Sequence, residues 1–399
     1  MSDESAAPGP TLGPIACHPA VVLRQLAADE KAVPVPENFG KLAPDEVMQL
    51  VFALLSAGRP SLIPVVGDYG LYDQLSYFLM THDQARKREY ERALALAAPG
   101  KTVVDIGTGR DLNWALAAIE AGAAKVYAIE AMRESFEHAQ ATIATRGLEG
   151  RITLLHGRST EVSLPEPADV CVSEIIGCIG TAEGVLPVLR DARARLLKPG
   201  GVMIPGHLAT VATLYSLPEA LRDRPGFEAI SAYYATQIFN ELGRAFDVRL
   251  VLDGHQRGVR LSDTQAVEDV DLSDVREASF TRRFRLEVGA DGLADGLLCS
   301  IKLRCHPETE IIDSLNASQA WIPAFLPLFS PAVEVRAGDV FEATWHTISS
   351  DQRVEPDYRV VGRLSRPGRE DVEVDFSAPF VETRRGSSPL YQGLIRPPA

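Results

Sequence analysis

Thr102-Val103-Val104-Asp105-Ile106-Gly107-Thr108-Gly109-Arg110-Asp111 is a short apolar run that ends in a glycine-rich turn. A β-branched run bounded by turn residues reads as a buried strand. The two glycines let backbone amides approach a ligand closely. Moving outward, apolar runs recur with helical patterns between them. The spacing predicts a strand at 102–106, an alanine-rich helix at 112–121, a strand at 125–129, a helix at 132–145 and a strand at 152–155. A strand at 168–172 follows, then a helix at 183–197 closed by Lys198-Pro199-Gly200-Gly201, and a strand at 202–204. Strand and helix in alternation predict a parallel sheet covered on both faces.

The texture changes after Pro205. Alternating apolar and polar runs at 279–288, 296–305 and 341–348, with Gly, Asp and Pro between them, predict an antiparallel β domain. A helical pattern at 226–242 interrupts it early. On the amino-terminal side, 1–18 is rich in Ala, Pro and Gly and reads as mobile. Helical patterns follow at 20–31, at 44–57 (apolar Val47, Leu50, Val51, Ala53 and Leu54) and at 72–97. The chain thus divides into a partly helical extension at 1–66, an α/β domain at 67–206 and a β domain at 207–399.

Composition excludes several classes. The net charge of −14 argues against a nucleic-acid footprint and against an anionic membrane surface. No apolar stretch approaches the roughly 20 residues that a membrane span needs. The start, Met-Ser-Asp-Glu, lacks the features of a secretory signal. The five cysteines are odd in number and lack paired CxxC spacing, which points to a reduced, cytoplasmic setting. The eight histidines form no HxxxH pair, so no metal is expected.

Two motifs carry chemistry. A dinucleotide fingerprint needs a third glycine three residues after Gly109; that position is Leu112, which weakens a nicotinamide reading. Glu130 closes the second strand about 20 residues beyond the glycines, where a carboxylate accepts both hydroxyls of a ribose. The plainer alternative is a tight turn followed by a solvent-facing acid. The second motif is Ser173-Glu174-Ile175-Ile176-Gly177-Cys178-Ile179-Gly180-Thr181-Ala182-Glu183, a loop following the buried run Val170-Cys171-Val172. Open α/β sheets place their chemistry at such strand ends. Two carboxylates on one loop repel unless they hold a cation, and a planar guanidinium offers them five donors in a fixed fork. Against this, Glu183 also reads as an acid at a helix amino terminus, worth about 0.3–1 kcal/mol, and Glu174 as a solvent-facing strand end.

These motifs, in this order, resemble the protein arginine methyltransferases over about residues 72–365. The resemblance implies S-adenosyl-L-methionine as cofactor, a Rossmann-like domain followed by a β-barrel domain, and homodimerisation through the 226–242 insertion. It places Asp105, Gly107 and Gly109 in the cofactor loop and gives Glu130 the ribose. It assigns Arg86 to the cofactor's carboxylate and puts Ser159 and Thr160 in the adenine-contacting turn. Glu174 and Glu183 become the substrate clamp. Asp111 stands where the family has a glycine, and is read either as a partner for the cofactor's ammonium or as a first-turn acid. The family's barrel loop carries Thr-His-Trp; here Gln319-Ala320-Trp321 keeps the Trp and lacks the His, and Asp83 resembles that histidine's acidic partner. Ile176 replaces a methionine, and Gly184 and Val185 follow the second glutamate, so the acceptor side is remodelled.

The chemistry fits these residues. A guanidinium has a pKa above about 12 and delocalised lone pairs, which makes it a poor nucleophile. Two carboxylates that bind it localise its positive charge and return lone-pair character to the target nitrogen. They also offset the repulsion between guanidinium and sulfonium, near 4 kcal/mol at about 4 Å and an effective dielectric of 20. The expected function is N-methylation of a guanidino nitrogen of arginine, with free arginine or a small guanidino metabolite favoured over peptide arginine. The alternatives are methylation of another amine, a carboxylate or a hydroxyl, or a non-catalytic methyltransferase-like scaffold. The clamp requires that neither glutamate be spent in an ion pair with the chain's own arginines.

Overall fold

The computed structural model describes residues 60–65, 83–227, 229–316, 321–380 and 385–395. The expected helices at 20–31 and 44–57, the mobile start, residues 72–82 and the Gln319-Ala320 pair lie outside the described residues.

Five strands form a parallel sheet in the order Ile152–His156, Lys125–Glu130, Thr102–Ile106, Ala168–Ser173, Leu197–Ile204. Helices Gln84–Ala97, Asn113–Glu120, Arg133–Arg146 and Val185–Arg195 connect and cover it. The first of these shows why the sequence folds this way. Arg86, Glu89, Tyr90, Ala93 and Leu94 are buried at helical spacing, while the opposite face is exposed. That helix does not run on from 72: Asp83 is extended, and its side chain caps the Arg86 amide at 3.1 Å.

Two boundaries differ from the sequence reading. The last helix starts at Val185, not 183, because Gly184 sits at φ 81° and serves as its N-cap. The last strand begins at Leu197, so Lys198–Gly201 is not a closing turn. Ala168 pairs with Leu197 but Val170 pairs with Val202, and the bulge between them takes up the Pro-Gly-Gly stretch.

Strand His207–Ser216 follows the parallel sheet directly and opens the antiparallel region. The larger antiparallel sheet runs Ser61–Val65, Arg249–Asp253, Ala324–Leu326, Gly296–Arg304, His207–Ser216, Gln265–Asp271. The smaller runs Phe280–Glu287, Val340–Ile348, Asp357–Ser365, Val372–Ala378. Inward side chains of both sheets, among them Leu214, Leu297, Phe284, Phe341, Trp345 and Tyr358, share one core, as a barrel-like domain requires. Ser61–Val65 pairs with Arg249–Asp253, so part of the amino-terminal extension is a strand of this β domain. The helical interruption is present as Glu219–Asp223 and Ala229–Glu241.

Candidate active site

A cavity of about 410 Å³ opens above the carboxyl ends of the parallel strands, between that sheet and the β domain. Gly107, Gly109, Asp111, Glu130, Ser159, Thr160, Arg86, Glu174, Glu183 and Trp321 all line it. Segments separated by more than 200 residues in sequence therefore meet at one surface.

The glycine loop is built for close approach. Gly107 and Gly109 sit at φ 73° and 67°, a region that a side chain strains to adopt. The amides of Gly107 and Thr108 both donate to the Ile129 carbonyl at 3.0 Å, fixing the loop to the neighbouring strand. Leu112, where a dinucleotide fingerprint has its third glycine, adopts the left-handed conformation at φ 55° and is fully buried. The backbone keeps the glycine-like geometry while its side chain packs into the core.

Glu130 is 6% exposed and accepts the amides of Gly109 at 2.8 Å and Met132 at 2.7 Å. Burial pushes its carboxyl up, and the amides of Met132, Gly109 and Ala131 oppose that. Each carboxylate oxygen keeps further lone-pair capacity for a hydroxyl. A buried acid at this position fits a ribose diol, so the loop and its acid suit an adenosyl group. Ser159 is buried at the wall and its carbonyl is held by Arg195 at 2.8 Å; Thr160 is exposed beside it.

Asp105 does not reach the cavity, which corrects its assignment as a cofactor contact. It lies wholly buried behind the loop and accepts the Thr108 hydroxyl at 2.6 Å, with burial pushing its carboxyl up to about 7. It shapes the loop from beneath. Asp83, expected at the substrate, is likewise a buried helix cap rather than a wall of the cavity.

Glu174 and Glu183 stand on the same wall because the loop between them folds back on itself. A Cβ on Gly177 would fall 2.8 Å from the Ala182 Cβ and 3.5 Å from the Glu183 Cγ. The glycine is thus the space into which the second glutamate's segment packs. Glu183 precedes the Gly184 N-cap of the helix that follows, so it stands outside the first turn and next to the helix amino terminus. Burial of Glu174 removes the solvent-facing strand-end explanation; its side chain is 11% exposed.

One requirement of the clamp is overturned. Arg86 donates through Nη1 to Oε2 of Glu174 in a buried ion pair. Arg86 is held between two indoles, 5.9 Å from the Trp114 centroid and 5.7 Å from that of Trp321. Burial pushes the Glu174 carboxyl up, while Arg86 and the Ile176 amide favour its charged form. Trp321 donates from Nε1 to the Ile176 carbonyl at 2.7 Å, so the β domain grips the glutamate loop itself.

A second grip was not visible in the sequence. Glu268 is fully buried and accepts the hydroxyls of Thr181 at 2.7 Å, Thr347 at 2.9 Å, and Thr210. Thr210 in turn accepts the Gly180 amide at 2.9 Å. Thr181 spends its proton on Glu268, so Tyr358 donates to it at 2.8 Å. The sole sequence signal was an acid among the inward positions of an alternating strand, in Gln265–Asp271.

An arginine N(omega)-methyltransferase of Streptomyces achromogenes subsp. streptozoticus is 31% identical over 271 residues, covering 66% of this chain and 73% of that enzyme. This chain belongs to the arginine N-methyltransferase family. No protein-family model matches it. Within the arginine N-methyltransferases, a probable protein arginine N-methyltransferase 6 of Arabidopsis thaliana is 36% identical over 148 residues, 36% of this chain and 33% of that protein. The Trypanosoma brucei PRMT1 enzyme–prozyme complex with AdoHcy superposes with TM-score 0.63 at 21% identity, covering 78% of this chain and 99% of that one. Arabidopsis thaliana arginine methyltransferase 10 gives 0.61 at 19%, covering 76% and 98%. These structural likenesses establish the arginine N-methyltransferase fold, a parallel α/β domain followed by a barrel-like β domain.

Proposed function

We propose that this chain moves the methyl group of S-adenosylmethionine to a guanidino nitrogen of arginine, taking free arginine or a small guanidino metabolite in preference to peptide arginine. The observation that carries the reading is the placement of Glu174 and Glu183 on the cavity that also holds the glycine loop and Glu130. Glu130, Ser159, Thr160 and the loop glycines are the residues for the adenosyl part, with Asp111 and Arg86 for its amino-acid end. When bound, the cofactor supplies an electrophilic methyl on a sulfonium.

The protein's own work is to hold and desolvate. Glu174 and Glu183 bring two carboxylates to the wall, one of them already paired with Arg86, and charges there act strongly away from water. The Arg86 pair does not exhaust Glu174, since a carboxylate has about four acceptor sites and Arg86 occupies one oxygen. Arg86 favours the anionic form of a carboxyl that burial alone would neutralise. Orientation of two reactants on such a wall lowers a barrier by roughly 7–11 kcal/mol. The proton released leaves through either glutamate or water.

Mass spectrometry of products from arginine, an arginine-containing peptide, simple amines and acids, supplied in parallel, tests the reading. Methylation of arginine that Glu174→Gln and Glu183→Gln each abolish, with S-adenosylhomocysteine binding retained, supports it. Unchanged turnover in either variant would remove the clamp. A cytoplasmic homodimer joined through the Ala229–Glu241 helix is the assembly we propose, with 67–206 and 207–399 as its two domains. Light scattering on the purified chain decides the dimer.

A further inference from the structure

We propose that Arg249 binds a carboxylate on the acceptor, so that the substrate is an amino acid with a guanidino group at one end and a free α-carboxylate at the other. The inference rests on the methyl-transfer reading of the cavity. Arg249 opens the strand Arg249–Asp253, is 9% exposed, and lines the cavity. Its guanidinium lies 4.7 Å from the Tyr358 ring centroid and 5.8 Å from that of Phe380. Nη2 donates to the carbonyls of Pro356 and of Ala378, the latter at 3.1 Å. Nε and Nη1 are buried without a hydrogen-bond partner. No ion pair joins Arg249 to a carboxylate among the described residues, although Glu355 and Asp357 are near enough to act on it through space.

A guanidinium buried without a counter-ion is costly, and burial pushes the Arg249 pKa down. Native proteins seldom leave such buried donors unsatisfied, and each one that is calls for a reason. The surroundings narrow the ligand. Among the described lining residues contributed from 207 onward, Arg249 alone is charged; its neighbours there include Leu250, Phe376 and Ala378. One half of the cavity thus offers an apolar surface for a methylene chain and a single cation. The other half offers the two glutamates. The Tyr358 ring beneath Arg249 carries the hydroxyl that bonds Thr181, two residues before Glu183, so cation and clamp are mounted on one connected frame. A ligand with opposite charges at its two ends satisfies both. An internal peptide arginine has an amide where this site asks for a carboxylate.

The test compares L-arginine, L-argininamide and agmatine as acceptors, and measures the binding of each to the full chain loaded with S-adenosylhomocysteine by calorimetry. Arginine should exceed the other two by about 100-fold or more in kcat/KM, with the difference in KM. Arg249→Gln should bring arginine down to the argininamide level, leave argininamide and S-adenosylhomocysteine binding unchanged, and be partly rescued by Arg249→Lys. Equal use of arginine and argininamide by the unaltered protein overturns the proposal, and that comparison stands even if Arg249→Gln fails to fold. So does a uniform loss across all acceptors, or weakened S-adenosylhomocysteine binding, which would assign Arg249 to the frame or to the cofactor. Carboxylate-selective binding without methylation of any of the three would keep the Arg249 site and sink the methyl-transfer reading instead.

Discussion

The two walls of the cavity satisfy their charged groups in opposite ways. On the parallel-sheet side, Glu130 receives backbone amides of its own domain, and Asp105 braces the glycine loop through Thr108. These partners lie within about two dozen residues of one another in sequence, so the wall is assembled locally. On the β-domain side, Trp321, Glu268 and Arg249 come from segments far apart in the chain, and the bonds of Trp321 and Glu268 to the glutamate loop cross between domains. A locally built wall suits a constant ligand; a wall built from distant strands is the one that sequence change remodels. The parallel-sheet side therefore suits the cofactor proposed above, and the β-domain side whatever is particular about the proposed acceptor.

The largest test of that contrast falls on the loop between the walls. Glu174→Gln and Glu183→Gln should each lower turnover by about a thousandfold or more, read by methyl transfer at saturating cofactor. Glu174→Gln removes the charge that the buried Arg86 pairs with and should cost about 3–5 kcal/mol in denaturant unfolding. An unchanged unfolding free energy would show that this pair braces nothing.

Glu130→Ala should weaken S-adenosylhomocysteine binding by about 100-fold while leaving KM for arginine unchanged, because both its amide contacts and its cavity face belong to one wall. Gly177→Ala should lower turnover by about 10- to 100-fold with cofactor affinity kept. The added methyl must displace Ala182 or the Ile179 carbonyl, which stands 3.0 Å away, and Glu183 shifts with them. A change in cofactor affinity here would show that the walls are coupled.

The smallest effects are in pH dependence. Glu174 must be ionised to hold a cation, and burial raises its pKa, so turnover should fall on acidification with a limb above the ordinary carboxylate range. Asp105 titrates at about 7 in the folded chain against 3.8 for its free value, so the folded state holds the proton more tightly. Its contribution is fully present below about pH 4 and is lost as pH rises to about 7. Melting curves across that window should show Asp105→Asn, which does not titrate, gaining on the unaltered chain by on the order of 1–3 kcal/mol.

Much of this molecule was written in local pattern. The five parallel strands, their helices and the antiparallel character after Pro205 follow from apolar periodicity, because burial of a strand or a helix face leaves a short-range mark. The glycine loop, Glu130 and the glutamate pair were legible for the same reason: each sits at a strand end, and strand ends carry the chemistry in such sheets. The exact edges were less so. The bulge at Lys198–Gly201 and the Gly184 cap depend on pairing and φ values that composition alone does not fix.

Sequence by itself determined the fold class, the position of the glycine loop and that of the two acids, since those depend on residues near one another along the chain. The tertiary structure alone decided that Asp105 and Asp83 brace rather than bind, that Arg86 already holds Glu174, and that Arg249, on the cavity wall, keeps two buried nitrogens without a hydrogen-bond partner. The physical reason is desolvation. Whether a charged side chain supports its neighbours or awaits a ligand depends on which partners surround it once water is removed, and those partners arrive from anywhere in the chain.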